Sequence, residues 1–167
     1  MSLENIETIL PKLEADGIYG QINDYGEQKM EMETRQQVAS LSFDSILNEV
    51  SNYHSIPVMD YEIKKFLKFI PENGIILDLG GCWGWHWRNL NKIRPDIKVI
   101  LVDLIRDNLK IAKKFLDISS QSNIYLYHGN ANNLSLDNNI IDAVWSVQAT
   151  QHIPTVEKVY QEIYIKY

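Results

Sequence analysis

A single cysteine, Cys82, leaves no partner for an intrachain disulfide in this 167-residue chain. A lone thiol suits a reducing compartment, so a cytoplasmic setting is expected. No apolar run approaches the ~18 residues of a membrane helix, so no membrane partner is expected. The opening MSLENIETIL has acidic residues and lacks the basic segment and apolar stretch of a secretory leader. Basic residues are outnumbered, 16 against 22 acidic, and form no cluster or helix face. Phosphate contacts dominate nucleic-acid binding, so no nucleic-acid partner is expected. His54, His86, His128 and His152 lack metal-ligand spacing and have no cysteine cluster to join, so no metal is expected.

What is present is ordinary for one globular domain, at 45% hydrophobic and 23% charged residues. The negative charge is concentrated in residues 1–50, which hold ten acidic and three basic side chains. The plain reading is a solvated surface; the sharper one is an acidic lid over a neutral or cationic substrate. A short helix is expected over Ser2–Leu10, stopped at Pro11. Gly17, Gly20 and Gly26, with Tyr19, Asn23, Asp24 and Tyr25, predict a loop. Phe43, Ile46, Leu47 and Val50 recur at helical spacing, and Asn52–Pro57 ends that element. Asp60 is placed as the cap of a second helix whose apolar face is Ile63, Phe66, Leu67 and Ile70. Residues 1–73 are thus expected to form a helical extension or lid, and residues 74–167 a separate domain.

From Gly74 the pattern alternates. Ile75–Leu79 is almost wholly apolar, as in a parallel strand covered on both faces. A helix over Gly84–Ile93, a strand over Val99–Val102, and a helix carrying Ile105, Leu109, Ala112 and Leu116 follow. Strands over Ile124–Tyr127 and Ile140–Val147 come next, then a helix opened by Pro154. This order predicts an α/β fold with a parallel sheet and right-handed crossovers.

The central motif is Ile76-Leu77-Asp78-Leu79-Gly80-Gly81-Cys82-Trp83-Gly84, a buried strand running into a glycine-rich turn and a helix. Glycine admits close ligand approach, and the free amides of a helix start can meet an anion. A dinucleotide fingerprint wants glycines at the first, third and sixth positions, where Gly80 is followed by Cys82 and Trp85. No Gly-Lys-Ser/Thr follows, which excludes a Walker loop.

With Asp78, Gly80, Cys82 and Gly84 lying over the pattern of an acidic strand end and Gly-x-Gly-x-Gly, the sequence resembles the Rossmann-like S-adenosylmethionine-dependent methyltransferases. Three more signals follow in order: Asp103 at the end of the second strand, His128-Gly129-Asn130-Ala131 after the third, and Ile141-Asp142-Ala143-Val144 in the fourth. Cys82 stands at the middle glycine and Asn130 at a usual aspartate. The resemblance implies a Rossmann-like sheet of order 3-2-1-4 with flanking helices, part of a seven-stranded fold. It also implies S-adenosyl-L-methionine as cofactor and methyl transfer to a small molecule as the reaction. Asp78, Gly80, Gly81, Gly84, Asp103, Leu104, Asn130 and Ala131 would hold the cofactor, with Asp103 accepting from the ribose hydroxyls. Gln148, Gln151 and His152 would face the acceptor, His152 as a base where one is needed. Strands five to seven have no counterpart, so a shortened chain is expected, or a homodimer through the bare fourth strand. Two other functions stay open at this stage: a nicotinamide- or nucleotide-dependent enzyme with an irregular loop, and a binding module of this fold without turnover.

Overall fold

Strand residues alternate between the two faces of a sheet, and this chain uses both faces as core. The computed structural model describes residues 6–20, 22, 25–36 and 46–167. Among them, β1 (Ile75–Leu79), β2 (Lys98–Asp103), β3 (Ile124–His128) and β4 (Ala143–Trp145) form one parallel sheet of order β3-β2-β1-β4. The fold is the expected Rossmann-like one. On one face Ile76, Val99, Leu101 and Leu126 pack with α2 (Ile46–Ser51), α3 (Ile56–Phe66) and α5 (Arg106–Ile118). On the other, Ile75, Leu77, Leu79, Ile100 and Val102 pack with Ile6, Ile9, Tyr19 and Val159 of α6 (Val156–Lys166). The remaining helices are α1 (Lys29–Gln36) and the single turn α4 (Leu90–Ile93).

Several boundaries differ from expectation, each for a local reason. The helix placed over Gly84–Ile93 is instead a 3-10 turn, Trp85–Trp87, followed by α4. Gly84 sits at φ 67°, a left-handed conformation that cannot begin an α-helix. Asp60 caps nothing. α3 starts earlier, behind Ser55 and with Pro57 in its first turn, and Asp60 instead grips the Arg88 guanidinium at 2.7 Å. The fourth strand is shorter than Ile140–Val147, because the amides of Ile140 and Ile141 donate to the carbonyl of Lys166 in α6. Pro154 lies ahead of the last helix, whose N-cap is Thr155. Of Ser2–Leu10, the described part is a 3-10 turn at Ile6–Thr8. Asn23, Asp24 and Phe43 lie outside the described residues.

The glycine-marked segment at Gly17–Gly20 does more than a loop requires. Tyr19 forms a parallel bridge to Tyr127: its N–H donates to the carbonyl of Leu126 at 2.8 Å, and its carbonyl accepts from the His128 amide at 2.8 Å. The segment therefore covers the outer edge of β3. Arg106 of α5 fastens it, pairing with Asp16 at 2.7 Å and donating to the carbonyl of Gly20 at 3.0 Å.

Candidate functional site

The chain leaves β1 for β2 and β3 on one side, then returns to place β4 on the other. Loops leaving β1 and β4 at their carboxyl ends therefore diverge, and such a switch point is where open α/β sheets leave room for a ligand. Here that crevice is a cavity of about 580 Å³. Its walls come from the turn Gly80–Cys82 after β1, Asp103–Ile105 after β2, Gly129 and Ala131 after β3, and Val147–Ala149 after β4. Glu49 and Val50 of α2, with Tyr53 and His54 beyond it, close the opposite side against Trp85 and His86.

The turn after β1 is fixed from below. Alternation puts Asp78 on the same face as Ile76, so its carboxyl enters an apolar layer rather than solvent. There Oδ2 accepts from Trp87 Nε1 at 2.7 Å. Burial pushes this carboxyl up to about 7; the Trp87 bond opposes the rise and the Asp103 charge adds to it. Gly81 rests directly on it, since a Cβ there would run into Asp78 Oδ2 and Leu101. Gly80, at φ 71°, has no room for a Cβ beside that of Ala149. Gly84 meets the Leu116 and Leu101 side chains at 3.0 and 3.1 Å from where a Cβ would stand, so it serves packing against α5.

Asp103 ties the turn to the second strand. Its Oδ2 accepts from the Cys82 amide at 2.9 Å, and Oδ1 accepts from the Ile105 amide at 2.8 Å and Asn108 Nδ2 at 3.3 Å. These bonds explain how a non-glycine residue serves at the middle of the motif: Cys82 takes φ 50°, held there by its own N–H on Asp103. A side chain in that region costs on the order of 1 kcal/mol. Gln148 pays a similar cost at φ 53°, also on the cavity wall.

Of the residues singled out in the sequence, Gly80, Gly81, Asp103, Leu104, Ala131, Gln148, Gln151 and His152 line the cavity together. Asp78 and Gly84 lie behind its wall. Asn130 is outside the lining, its Oδ1 accepting from Gln28 Nε2 at 3.3 Å and from the Asn132 amide at 3.0 Å. Gln151 Nε2 lies 3.1 Å from His152 Nε2. Trp83 and Trp85 line the cavity, whereas Trp87 is core. Among the described residues no group of three or more His, Cys, Asp or Glu side chains could hold a metal ion.

A family model described as a methyltransferase domain matches residues 77–165, more than half of the chain. The chain belongs to that family. Solved structures agree on the fold of this methyltransferase domain. It matches an S-adenosyl-L-methionine-dependent methyltransferase from Aquifex aeolicus at TM-score 0.60 and 18% identity, covering 75% of this chain and 67% of that one. A protein from Methanococcus maripaludis, described as the same class of enzyme, matches at TM-score 0.65 and 19% identity, covering 87% of this chain. The chain spans 62% of that protein's length. Phosphoethanolamine N-methyltransferase 2 of Haemonchus contortus, in complex with phosphomonomethylethanolamine and S-adenosylhomocysteine, matches at TM-score 0.55 and 24% identity over 64% of this chain and 25% of its own. No curated protein matches the sequence.

Sequence reasoning missed one wall of the site, which comes from residues ahead of the matched 77–165. Glu49, Val50 and His54 belong to no motif and reach the cavity only because α2 packs beside the tryptophan turn. Asn108 was equally silent, yet it links two walls: it donates to Asp103 and accepts from Trp83 Nε1 at 3.2 Å. Its place in the first turn of α5, five residues after Asp103, was the available signal.

Proposed function

We propose that this chain binds S-adenosyl-L-methionine in the 580 Å³ cavity and directs transfer of its methyl group to a small-molecule acceptor. The observation that carries the reading is the meeting of two groups in one cavity: the Gly80–Cys82 turn, whose first two residues carry no side chain, and the Asp103 carboxylate. When bound, the cofactor supplies an electrophilic methyl on a positive sulfur. Gly80 and Gly81 admit the close approach of its amino-acid part, and Asp78 steadies the turn from beneath. Asp103 accepts from ribose hydroxyls beside the donors it already holds, with Leu104 and Ala131 flanking the base and Asn130 ordering the loop after β3. Gln148, Gln151 and His152 orient the acceptor, with His152 as the base where one is needed. Alignment of acceptor and donor supplies the main catalytic effect. In this scheme residues 74–167 form the cofactor-binding domain and residues 1–73 its extension or lid, working in the cytoplasm. Among the described residues β4 pairs only with β1, and its other edge is proposed as a homodimer contact.

Calorimetric titration with S-adenosyl-L-methionine and S-adenosylhomocysteine tests the reading. One-to-one binding is expected, weakened tenfold or more, about 1.4 kcal/mol, by Asp103→Asn. Absence of binding to folded wild-type protein overturns the proposal. Unchanged affinity in Asp103→Asn removes the ribose assignment alone.

A further inference from the structure

Asn130, the polar residue of the motif after β3, lies outside the cavity lining, and Gln28 of the N-terminal segment lines it instead. Chain contacts explain how a residue so distant in sequence arrives there. The Ile22 amide donates to His128 Nδ1 at 3.3 Å, and the Tyr25 ring lies 6.3 Å from the His128 ring. Both contacts hold the segment at the carboxyl end of β3. A 3-10 turn, Gly26–Gln28, then closes with the Gln28 amide on the Tyr25 carbonyl at 3.0 Å. Gly26, Lys29 and Met30 are exposed, whereas Gln28 is 5% exposed.

Two hydrogen bonds decide which way the Gln28 carboxamide faces. The Asn132 backbone N–H donates to one atom of the Asn130 carboxamide at 3.0 Å, so that atom is the oxygen, Oδ1. Gln28 meets the same oxygen at 3.3 Å and must donate to it through Nε2. One N–H is thereby engaged, and Gln28 keeps a second N–H and Oε1. Among the described residues Oε1 has no donor, and the buried polar atoms sealed without a partner belong to His86, Asn91, Asn132 and Trp145. Oε1 is therefore open, in a residue that lines the cavity.

An open acceptor beside an open N–H matches the edge of adenine, whose six-amino group donates and whose neighbouring ring nitrogen accepts. A carboxamide free to turn over would serve a six-oxo purine as well. Here turning over would set Oε1 against Asn130 Oδ1, two acceptors with no proton between them.

We infer that Gln28 recognises the adenine of the cofactor, donating through Nε2 and accepting through Oε1, with Asn130 as the residue that positions it. The inference rests on the cofactor-binding reading above and adds a base-specific contact from ahead of the matched 77–165. Ala131, which flanks the base in that reading, directly follows Asn130, so both contacts fall at one end of the cavity.

Calorimetric titration of the whole chain with S-adenosylhomocysteine and S-inosylhomocysteine is the test. The second compound carries a carbonyl oxygen in place of the six-amino group and an N–H at the neighbouring ring nitrogen. Wild type is expected to bind the adenine compound at least tenfold more tightly. In Gln28→Met and in Gln28→Ala the two affinities are expected to come within threefold of each other, with S-adenosylhomocysteine binding still measurable. Asn130→Leu, which frees the carboxamide to turn, is expected to lower the preference at least threefold; an unchanged preference there overturns the positioning role. Equal binding of both compounds by wild type overturns the assignment. So does a preference that survives the Gln28 substitutions, or a folded Gln28 variant that binds neither compound. If wild type binds S-adenosylhomocysteine, these outcomes remove the Gln28 assignment alone; if it binds neither compound, the cofactor reading falls with it.

Discussion

Two buried side chains in neighbouring positions of the fold give this protein opposite responses to pH. Asp78 has its carboxyl raised to about 7 by burial. The unfolded chain ionises it near 3.8, so between those values the folded state holds a proton that the unfolded state has released. Stability is then full below 3.8 and falls as pH rises toward 7. His86 has its imidazole lowered to about 4 against 6.5 when unfolded. The unfolded chain binds the extra proton first, so this contribution is present above 6.5 and is lost as pH falls to 4. Melting curves across this range check both signs. Relative to Asp78→Asn, the wild type is expected to lose stability from pH 4 to 7, by a few kcal/mol at most. Relative to His86→Phe, it is expected to gain stability over the same interval. A third substitution, Gly80→Ala, forces a Cβ against Ala149 at a φ of 71°. A loss of roughly 2 kcal/mol or more is expected, with weaker S-adenosylhomocysteine binding, by thermal melting and calorimetry.

At the scale of elements, the N-terminal segment is held by buried apolar residues, by two backbone bonds to β3 and by one polar clamp, and the clamp makes its attachment testable. Arg106 supplies that clamp, through Asp16 and the Gly20 carbonyl, with both side chains partly exposed. Arg106→Ala is expected to cost about 1 kcal/mol. It should also raise hydrogen exchange at the Tyr19 and His128 amides about tenfold while leaving β1 and β2 amides protected. Uniform change across the sheet would show that the segment does not open separately. This attachment was not legible in the sequence, because a single bridging tyrosine gives no strand periodicity. The opposite holds for β1 to β3, whose apolar runs Ile75–Leu79, Val99–Val102 and Ile124–Tyr127 stand out because both faces are buried. The tryptophan turn misled for a physical reason: Trp83, Trp87 and Leu90 look like one helical face, but a left-handed Gly84 breaks the backbone among them. In the site, strand-end residues such as Asp103 were legible from position. The α2 wall was not, because only tertiary packing brings Glu49 and His54 there.

For the whole molecule, the two borders of the sheet are treated differently. The outer side of β3 is bridged by Tyr19, whereas among the described residues β4 pairs only with β1 and its three residues are half-buried. Tyr160, Tyr164 and Tyr167 on and after α6 are exposed. Sedimentation over a range of concentrations is expected to show a reversible dimer, and a monomer throughout would remove the proposed edge contact. The bridged border has a consequence for biosynthesis. Ile22 and His128, which bond through a backbone N–H and the imidazole, are 106 residues apart in the chain. The opening segment leaves the ribosome long before its docking strand exists. Its apolar residues Ile6, Ile9 and Leu10 share a core cluster with strands that begin only at Ile75. Contacts this distant slow folding, and apolar surface left open in the meantime favours aggregation.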